Sequence, residues 1–253
     1  MGDQFRNTIL AGALAGLTLL AGGPAKAADV QVAVAANFTE PAKEIAAAFE
    51  AKTHDHVLLS FGASGQFYAQ ITHGAPYLVF LSADADRPAQ AEKEGFAVPG
   101  TRFTYAVGKL VLFSKTPGLV DDRGGVLGSD KFQKLAIADP AVAPYGVAAV
   151  QTLTKLGLYD KLKPQLVMGT SINQTYQFVQ TGAAELGFVA LSQVIAETDG
   201  SRWLVPEADH APIEQQAVLL KTGQDDPEAK AFLAFLKGPE ARKVILRFGY
   251  GLK

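Results

Sequence analysis

Four short stretches place residues suited to holding an anion at the same kind of position. They are Asn37 after the run Val30–Ala35, Ser64 in Gly62-Ala63-Ser64-Gly65 after Val57–Phe61, Tyr145 in Pro144-Tyr145-Gly146 after Leu135–Ala138, and Ser171-Ile172 after Leu166–Met168. In each, a β-rich run gives way to a helical pattern, so the residue falls in the first turn of a helix. There the leading backbone N–H groups have no partner inside the helix, and the helix dipole favours negative charge. A small tetrahedral oxyanion fits that chemistry. Its donors would be backbone N–H groups, the Ser64 hydroxyl, the Asn37 side-chain amide and the Tyr145 hydroxyl, all of them neutral.

None of the four turns contains lysine or arginine. A cation attracts any anion, whereas fixed neutral donors reward only a ligand whose size and acceptor positions match them. A dianion that carries no proton needs donors alone. Phosphate keeps a proton near neutral pH and gains from a carboxylate acceptor, and the acids near the proposed donors are Glu40 and Asp139. Taken singly, Asn37, Ser64 and Ser171 are also ordinary helix caps, and Tyr145 is as readily a packing residue. The fourfold recurrence is what points to a ligand.

Other chemistries are less well supported. Ser64 lies in a faint nucleophile elbow, but Gln66 occupies the place of the second glycine. A secreted serine hydrolase using Ser64, with His210 as partner, is the rival from a different class. His54-Asp55-His56 has no third ligand in view and reads as a hydrated turn. Asp84 and Asp86 have the types of paired acids but stand at a helix start, where capping is the simpler role. With no cysteine, a disulfide framework, a thiolate metal site and a cysteine nucleophile are excluded.

The elements that must position these residues alternate. Strand Val30–Ala35, helix Pro41–Lys52, strand Val57–Phe61, helix Gln66–His73, strand Tyr77–Leu81 and helix Arg87–Glu94 follow one another, with Gly74 and Gly95 as stops. Such alternation predicts a parallel-rich α/β sheet. Thr104–Phe113 is a long β-rich run with a glycine near its middle, suited to a strand that bends from one sheet into another. Thr116–Asp130 reads as a surface loop. The pattern then resumes with strand Leu135–Ala138, helix Val147–Leu156, strand Leu166–Met168, helix Asn173–Thr181 before Gly182, and the buried strand Leu186–Leu191. Val218–Leu220 and the helices Glu228–Leu236 and Glu240–Phe248 close the chain.

Residues 1–27 read as a secretory signal peptide, with the apolar core Ile9–Ala21 and the small-x-small site Ala25-Lys26-Ala27. Its removal takes away Arg6, Lys26 and Asp3 and moves the formal charge from −2 to −3. That balance offers nothing to nucleic acid. No later run reaches the roughly 18 apolar residues of a membrane span.

The chain resembles the periplasmic molybdate-binding proteins of ABC importers. The likeness rests on Ala35-Ala36-Asn37-Phe38-Thr39, Ser60-Phe61-Gly62-Ala63-Ser64-Gly65, and the run from Gly74-Ala75-Pro76 to Ser82-Ala83-Asp84. Asp139-Pro140, Pro144-Tyr145-Gly146, Leu186-Gly187-Phe188-Val189, Leu236-Lys237-Gly238-Pro239 and Phe248-Gly249 extend it.

The resemblance implies a two-lobed, type II periplasmic binding protein fold with two hinge crossings. Residues 28–107 and 214–253 would form lobe 1, and 108–213 lobe 2. Molybdate or tungstate would lie in the cleft, touched by Asn37 and Ser64 from lobe 1 and by Tyr145 and the Ile172 backbone N–H from lobe 2. These four would meet the oxyanion's oxygens and would not ligate the metal itself. Ser82, Ala83 and Asp84 would support the site from behind. One branch of the family carries serine where Asn37 stands and tyrosine where this chain has Ala190, so Tyr145 would supply the hydroxyl from another turn. The implied protein is a periplasmic, monomeric receptor that serves a membrane permease, needs no cofactor and is no enzyme. The alternative among receptors is another oxyanion, such as sulfate or phosphate, or a small carboxylate.

Overall fold

A computed structural model describes residues 29–253, so the signal peptide expected over 1–27 lies outside the described residues. The chain runs β1 (Asp29–Ala35), α1 (Thr39–Thr53), β2 (His56–Gly62), α2 (Ser64–Thr72), β3 (Val79–Ser82), α3 (Asp86–Lys93) and β4 (Phe103–Gly108). It continues with β5 (Leu110–Ser114), β6 (Leu135–Ala138), α4 (Pro144–Lys155), α5 (Tyr159–Leu162), β7 (Leu166–Gly169), α6 (Ile172–Gln180), β8 (Leu186–Ala190), α7 (Leu191–Val194) and β9 (Ser201–Leu204). β10 (Ile213–Leu219), α8 (Pro227–Leu236) and α9 (Pro239–Arg247) complete it.

The strands form two sheets of one design. The first has the order β2-β1-β3-β10-β4 and the second β7-β6-β8-β5-β9. Each opens with three parallel strands, β2, β1 and β3 or β7, β6 and β8, and then adds an antiparallel strand, β10 or β5. Helices cover both faces, which explains why the central strands β6 (LAIA) and β8 (LGFVA) are apolar throughout. On β1, Val30, Val32 and Val34 pack with Phe49 and Phe232 beneath α1 and α8, while Ala33 faces Phe67 and Ile71 of α2 on the other side. On β6, Leu135 and Ile137 face α4 while Ala136 faces Val179 of α6.

Local chemistry sets the helix ends. Ser171 accepts the N–H of Gln174 and Asp226 that of Ala229, so α6 and α8 each begin on a side-chain cap. The stops Gly74, Gly95 and Gly182 all have positive φ. His54 closes α1 with φ 65°, so His54 and Asp55 make the turn from α1 into β2, whose first residue is His56.

The chain passes between the sheets twice. β4 ends in the first sheet at Gly108, and β5 starts in the second at Leu110. The return runs from β9 to β10, and near the C terminus Gly251 exchanges backbone hydrogen bonds of 2.8 Å with Val107 of β4.

Three departures from the sequence reading stand out. The segment expected as surface loop over Thr116–Asp130 buries Val120, Val126 and Leu127 in the second lobe's core. Glycine, proline and aspartate set its turns, but isolated apolar residues between them still pay for burial. Strand β9, Ser201–Leu204, was not anticipated, because Arg202 and its four-residue length hide the pattern. β10 starts earlier than the expected strand Val218–Leu220 and includes Gln215 and Gln216, polar residues that are buried.

Candidate functional site

The carboxyl ends of the parallel strands in the two sheets face each other, the usual place for a ligand in open α/β folds. β1 ends before Asn37, β2 before Ser64, β3 before Ala83, β6 before the turn to Tyr145 and β7 before Ile172. Asn37, Ser64, Tyr145 and Ile172 all line one small cavity, together with Ala35, Ala36, Gly62, Ala63, Ala83, Ala143 and Pro144. No charged residue is among them. The space is small, about 10 Å³, room for about one water molecule.

Ser64 is the first residue of α2 and is buried. Its Oγ accepts the Ala83 N–H at 2.9 Å. One acceptor position is therefore filled from within the protein, while the hydroxyl proton has no protein acceptor among the described residues. Tyr145, in the first turn of α4 and 1% exposed, repeats the arrangement. Its oxygen accepts from Gln215 Nε2 at 3.3 Å, so its own proton is left to be given away. Burial first, then the neighbouring Tyr250 and Tyr105, push the Tyr145 hydroxyl well above its usual value of 10.0, against the hydrogen bond from Gln215 that pulls it down. The group is a donor at any physiological pH.

Two glycines make this possible. A Cβ at Gly146 would overlap the Ala138 carbonyl, so the start of α4 reaches the end of β6 only with glycine there. A Cβ at Gly108 would overlap the Tyr145 hydroxyl and stand 2.6 Å from Gln215 Nε2.

The side-chain amide of Asn37 is engaged within the protein. Its Nδ2 donates to Gln215 Oε1 at 2.8 Å and to the Tyr250 hydroxyl at 3.0 Å, which uses both amide protons. Its backbone N–H lies in the first turn of the short 3-10 helix Ala36–Phe38. The Asn37 carbonyl accepts from Ser192 Oγ at 2.9 Å and Tyr250 Oη at 2.7 Å, which joins the turn to the second lobe and to the C terminus. Phe38 packs edge-on against Tyr105 and Tyr250, with centroids 4.8 and 5.4 Å apart, pairs worth about 0.5–1.5 kcal/mol each beyond burial. Ile172 is the first residue of α6 and is buried, and its carbonyl accepts from Gln193 Nε2 at 3.3 Å.

The neighbouring acids are engaged elsewhere. Asp139 Oδ1 accepts the Ala141 N–H at 2.9 Å, and the exposed Glu40 pairs with Lys43. Asp84 caps its own helix turn, accepting from Arg87 N at 3.1 Å and from Ser82 Oγ at 2.9 Å, and its other oxygen pairs with the Arg87 guanidinium. A much larger groove, about 570 Å³, shares Ala83 and Pro144 with the small cavity. Asp84, Asp86 and Glu214 line it and Arg87 is already paired, so it repels an anion rather than cradling one.

Sequence reasoning missed Gln215, Tyr105, Tyr250 and Ser192, which act from distant parts of the chain. The polar pair Gln215-Gln216 just before an apolar strand was the available signal, since such a pair is costly to bury without a task.

Two lobes of one design, with helix starts converging between them, define a ligand-binding protein of the two-lobed α/β class. The chain matches the family model described as bacterial extracellular solute-binding protein over residues 30–251, and it belongs to that family. It is 58% identical over 249 residues to the molybdate-binding protein ModA of Rhodobacter capsulatus, covering 98% of each chain. It is 57% identical over 232 residues to the molybdate-binding protein ModA of Azotobacter vinelandii, covering 90% of this chain and 92% of that one. The solved structure of the Azotobacter vinelandii periplasmic molybdate-binding protein superposes with a TM-score of 0.86 at 44% identity, over 88% of this chain and 99% of that one.

Solute-binding proteins are non-enzymatic parts of transport systems, which overturns the hydrolase alternative. The geometry agrees, because Ser64 is partnered by a backbone N–H and His210 lines a separate cavity beside Lys109 and Leu204. No helix of the described residues is long and apolar enough to cross a membrane.

Proposed function

We propose that this protein captures molybdate, or tungstate of matching size and charge, between its lobes in the periplasm and delivers it to the permease of an ABC importer. The observation that carries the reading is the uncharged cavity holding Asn37, Ser64, Tyr145 and Ile172, with the Ser64 and Tyr145 oxygens already accepting protein hydrogen bonds. Both hydroxyls are thereby left as donors, the polarity an unprotonated dianion requires. The high identity to two proteins named for molybdate supports the same ligand.

In this reading Ser64 and Tyr145 give their hydroxyl protons, and Asn37 and Ile172 give backbone N–H groups. Residues 28–107 and 214–253 act as one lobe and 108–213 as the other, with the hinge at the two crossings where these segments join. The signal peptide at 1–27 exports the chain, which works as a monomer. Calorimetry of the chain lacking residues 1–27 tests the ligand. Molybdate and tungstate should bind with similar affinity, and sulfate and phosphate should give little heat. Equal affinity for sulfate would overturn the size argument.

A further inference from the structure

The geometry points to Gln215 as a positioning residue that fixes the direction of the Tyr145 hydroxyl and so makes the cavity discriminate against anions that carry a proton. The inference rests on the oxyanion reading above.

Gln215 is fully buried on β10, just past the return crossing between the sheets. Its Oε1 accepts from Asn37 Nδ2 at 2.8 Å and from the Tyr105 hydroxyl at 3.0 Å. Two donors fill that oxygen. Turning the amide over would set its NH₂ against the Asn37 NH₂, donor facing donor. The nitrogen is therefore held toward Tyr145, whose oxygen must accept it. With one side of the phenol oxygen occupied by a donor, its proton leaves in another direction, toward the cavity it lines.

The consequence is a chemical filter. An oxyanion with only acceptor atoms meets a donor at this position. Hydrogen arsenate or hydrogen phosphate, presenting an O–H there, meets a second donor and leaves a proton unpaired in a dry site. Gln215 also links the two lobes behind the ligand, since Asn37 follows β1 and Tyr145 opens α4. The glycine at 108 leaves the room that this contact needs.

The test compares molybdate with hydrogen arsenate at pH 8, where both are mainly dianions, in the parent chain, Gln215→Glu and Gln215→Met. A carboxylate at 215 keeps the acceptor for Asn37 and Tyr105 but accepts from Tyr145, which reverses that hydroxyl and turns a lone pair to the cavity. Its extra charge weakens both dianions alike, so the ratio of affinities reports the hydroxyl's direction. The molybdate preference over hydrogen arsenate should fall about tenfold or more in Gln215→Glu, and by less in Gln215→Met, where the hydroxyl turns freely. Thermal unfolding identifies the variants that fold, and Gln215→Met alone decides the matter if the carboxylate is not tolerated. A preference unmoved in the folded variants, with both anions weakened equally, would reduce Gln215 to a packing residue and overturn the inference. Failure of the parent chain to bind molybdate would instead overturn the oxyanion reading.

Discussion

Gly108 stands directly against Tyr145, at the point where the chain leaves the first sheet for the second, and a single methyl group at 108 would occupy the place of the tyrosine's hydroxyl oxygen. The strand at the crossing and the side chain proposed to bind are thus fitted to each other. Gly108→Ala should fold, because the obstacles are the ends of two side chains and the backbone φ is ordinary. It should displace the Tyr145 hydroxyl and weaken molybdate by about tenfold or more, the effect of losing a donor to a charged group. Calorimetry beside a thermal melt checks it. Parent-like affinity would show that the hydroxyl's place is not critical.

Tyr145 itself separates donor from wall. Tyr145→Phe removes one charge-assisted hydrogen bond, about 1.5–3 kcal/mol, or roughly 10–100-fold in affinity. Tyr145→Ala should lose more, since it also opens the side of the cavity. If both variants bind like the parent, the hydroxyl does not touch the ligand.

The lobes meet beside the cavity through Gly65, whose N–H donates to the Val142 carbonyl at 2.9 Å, while Arg87 reaches the Ala141 carbonyl at 3.4 Å. A Cβ at Gly65 would lie 2.9 Å from both Val142 Cα and Arg87 Nη2. Gly65→Ala should therefore hold the lobes apart. Overpacking of this kind costs about 1–3 kcal/mol, and here it should appear as weaker molybdate binding with little change in the melting temperature of the ligand-free protein. A fall in melting temperature with affinity unchanged would contradict the assignment of this contact to closure.

Tyr105, Tyr145 and Tyr250 form a buried cluster, and burial raises the hydroxyl of each above its usual 10.0. In the unfolded chain they ionise near that value, but in the folded chain they stay protonated. The folded state then binds more protons, so stability is fully present below about pH 10 and falls as pH rises beyond it, by up to about 1.4 kcal/mol per pH unit for each tyrosine. Melting temperature against pH should be level from 7 to 9 and drop steeply above 10, less steeply in Tyr105→Phe. A flat profile through pH 11 would contradict the burial of these hydroxyls.

Much of this was legible before any coordinates. β-rich apolar runs and glycine stops gave the alternation, and the helix starts at Asn37, Ser64, Tyr145 and Ile172 showed themselves because helix N-termini have local residue preferences. What stayed hidden was long-range. That Asn37 gives its amide to Gln215 and Tyr250, 178 and 213 residues away, depends on sheet order and on the path of the C terminus, which residue types do not encode. Likewise Ala83 could not announce that its N–H would occupy Ser64, because backbone donors leave no mark in a sequence.

The central claim is that a dianion is held between two lobes by uncharged donors. A crystal structure of the chain grown with molybdate, with anomalous scattering to locate the metal, tests it most directly. The account predicts one strong peak in the cavity between Ser64 and Tyr145, with both hydroxyls and the N–H groups of Asn37 and Ile172 within hydrogen-bond reach of the oxygens. A peak seated on lysine or arginine side chains, or lying in the larger groove beside Arg87, would contradict it.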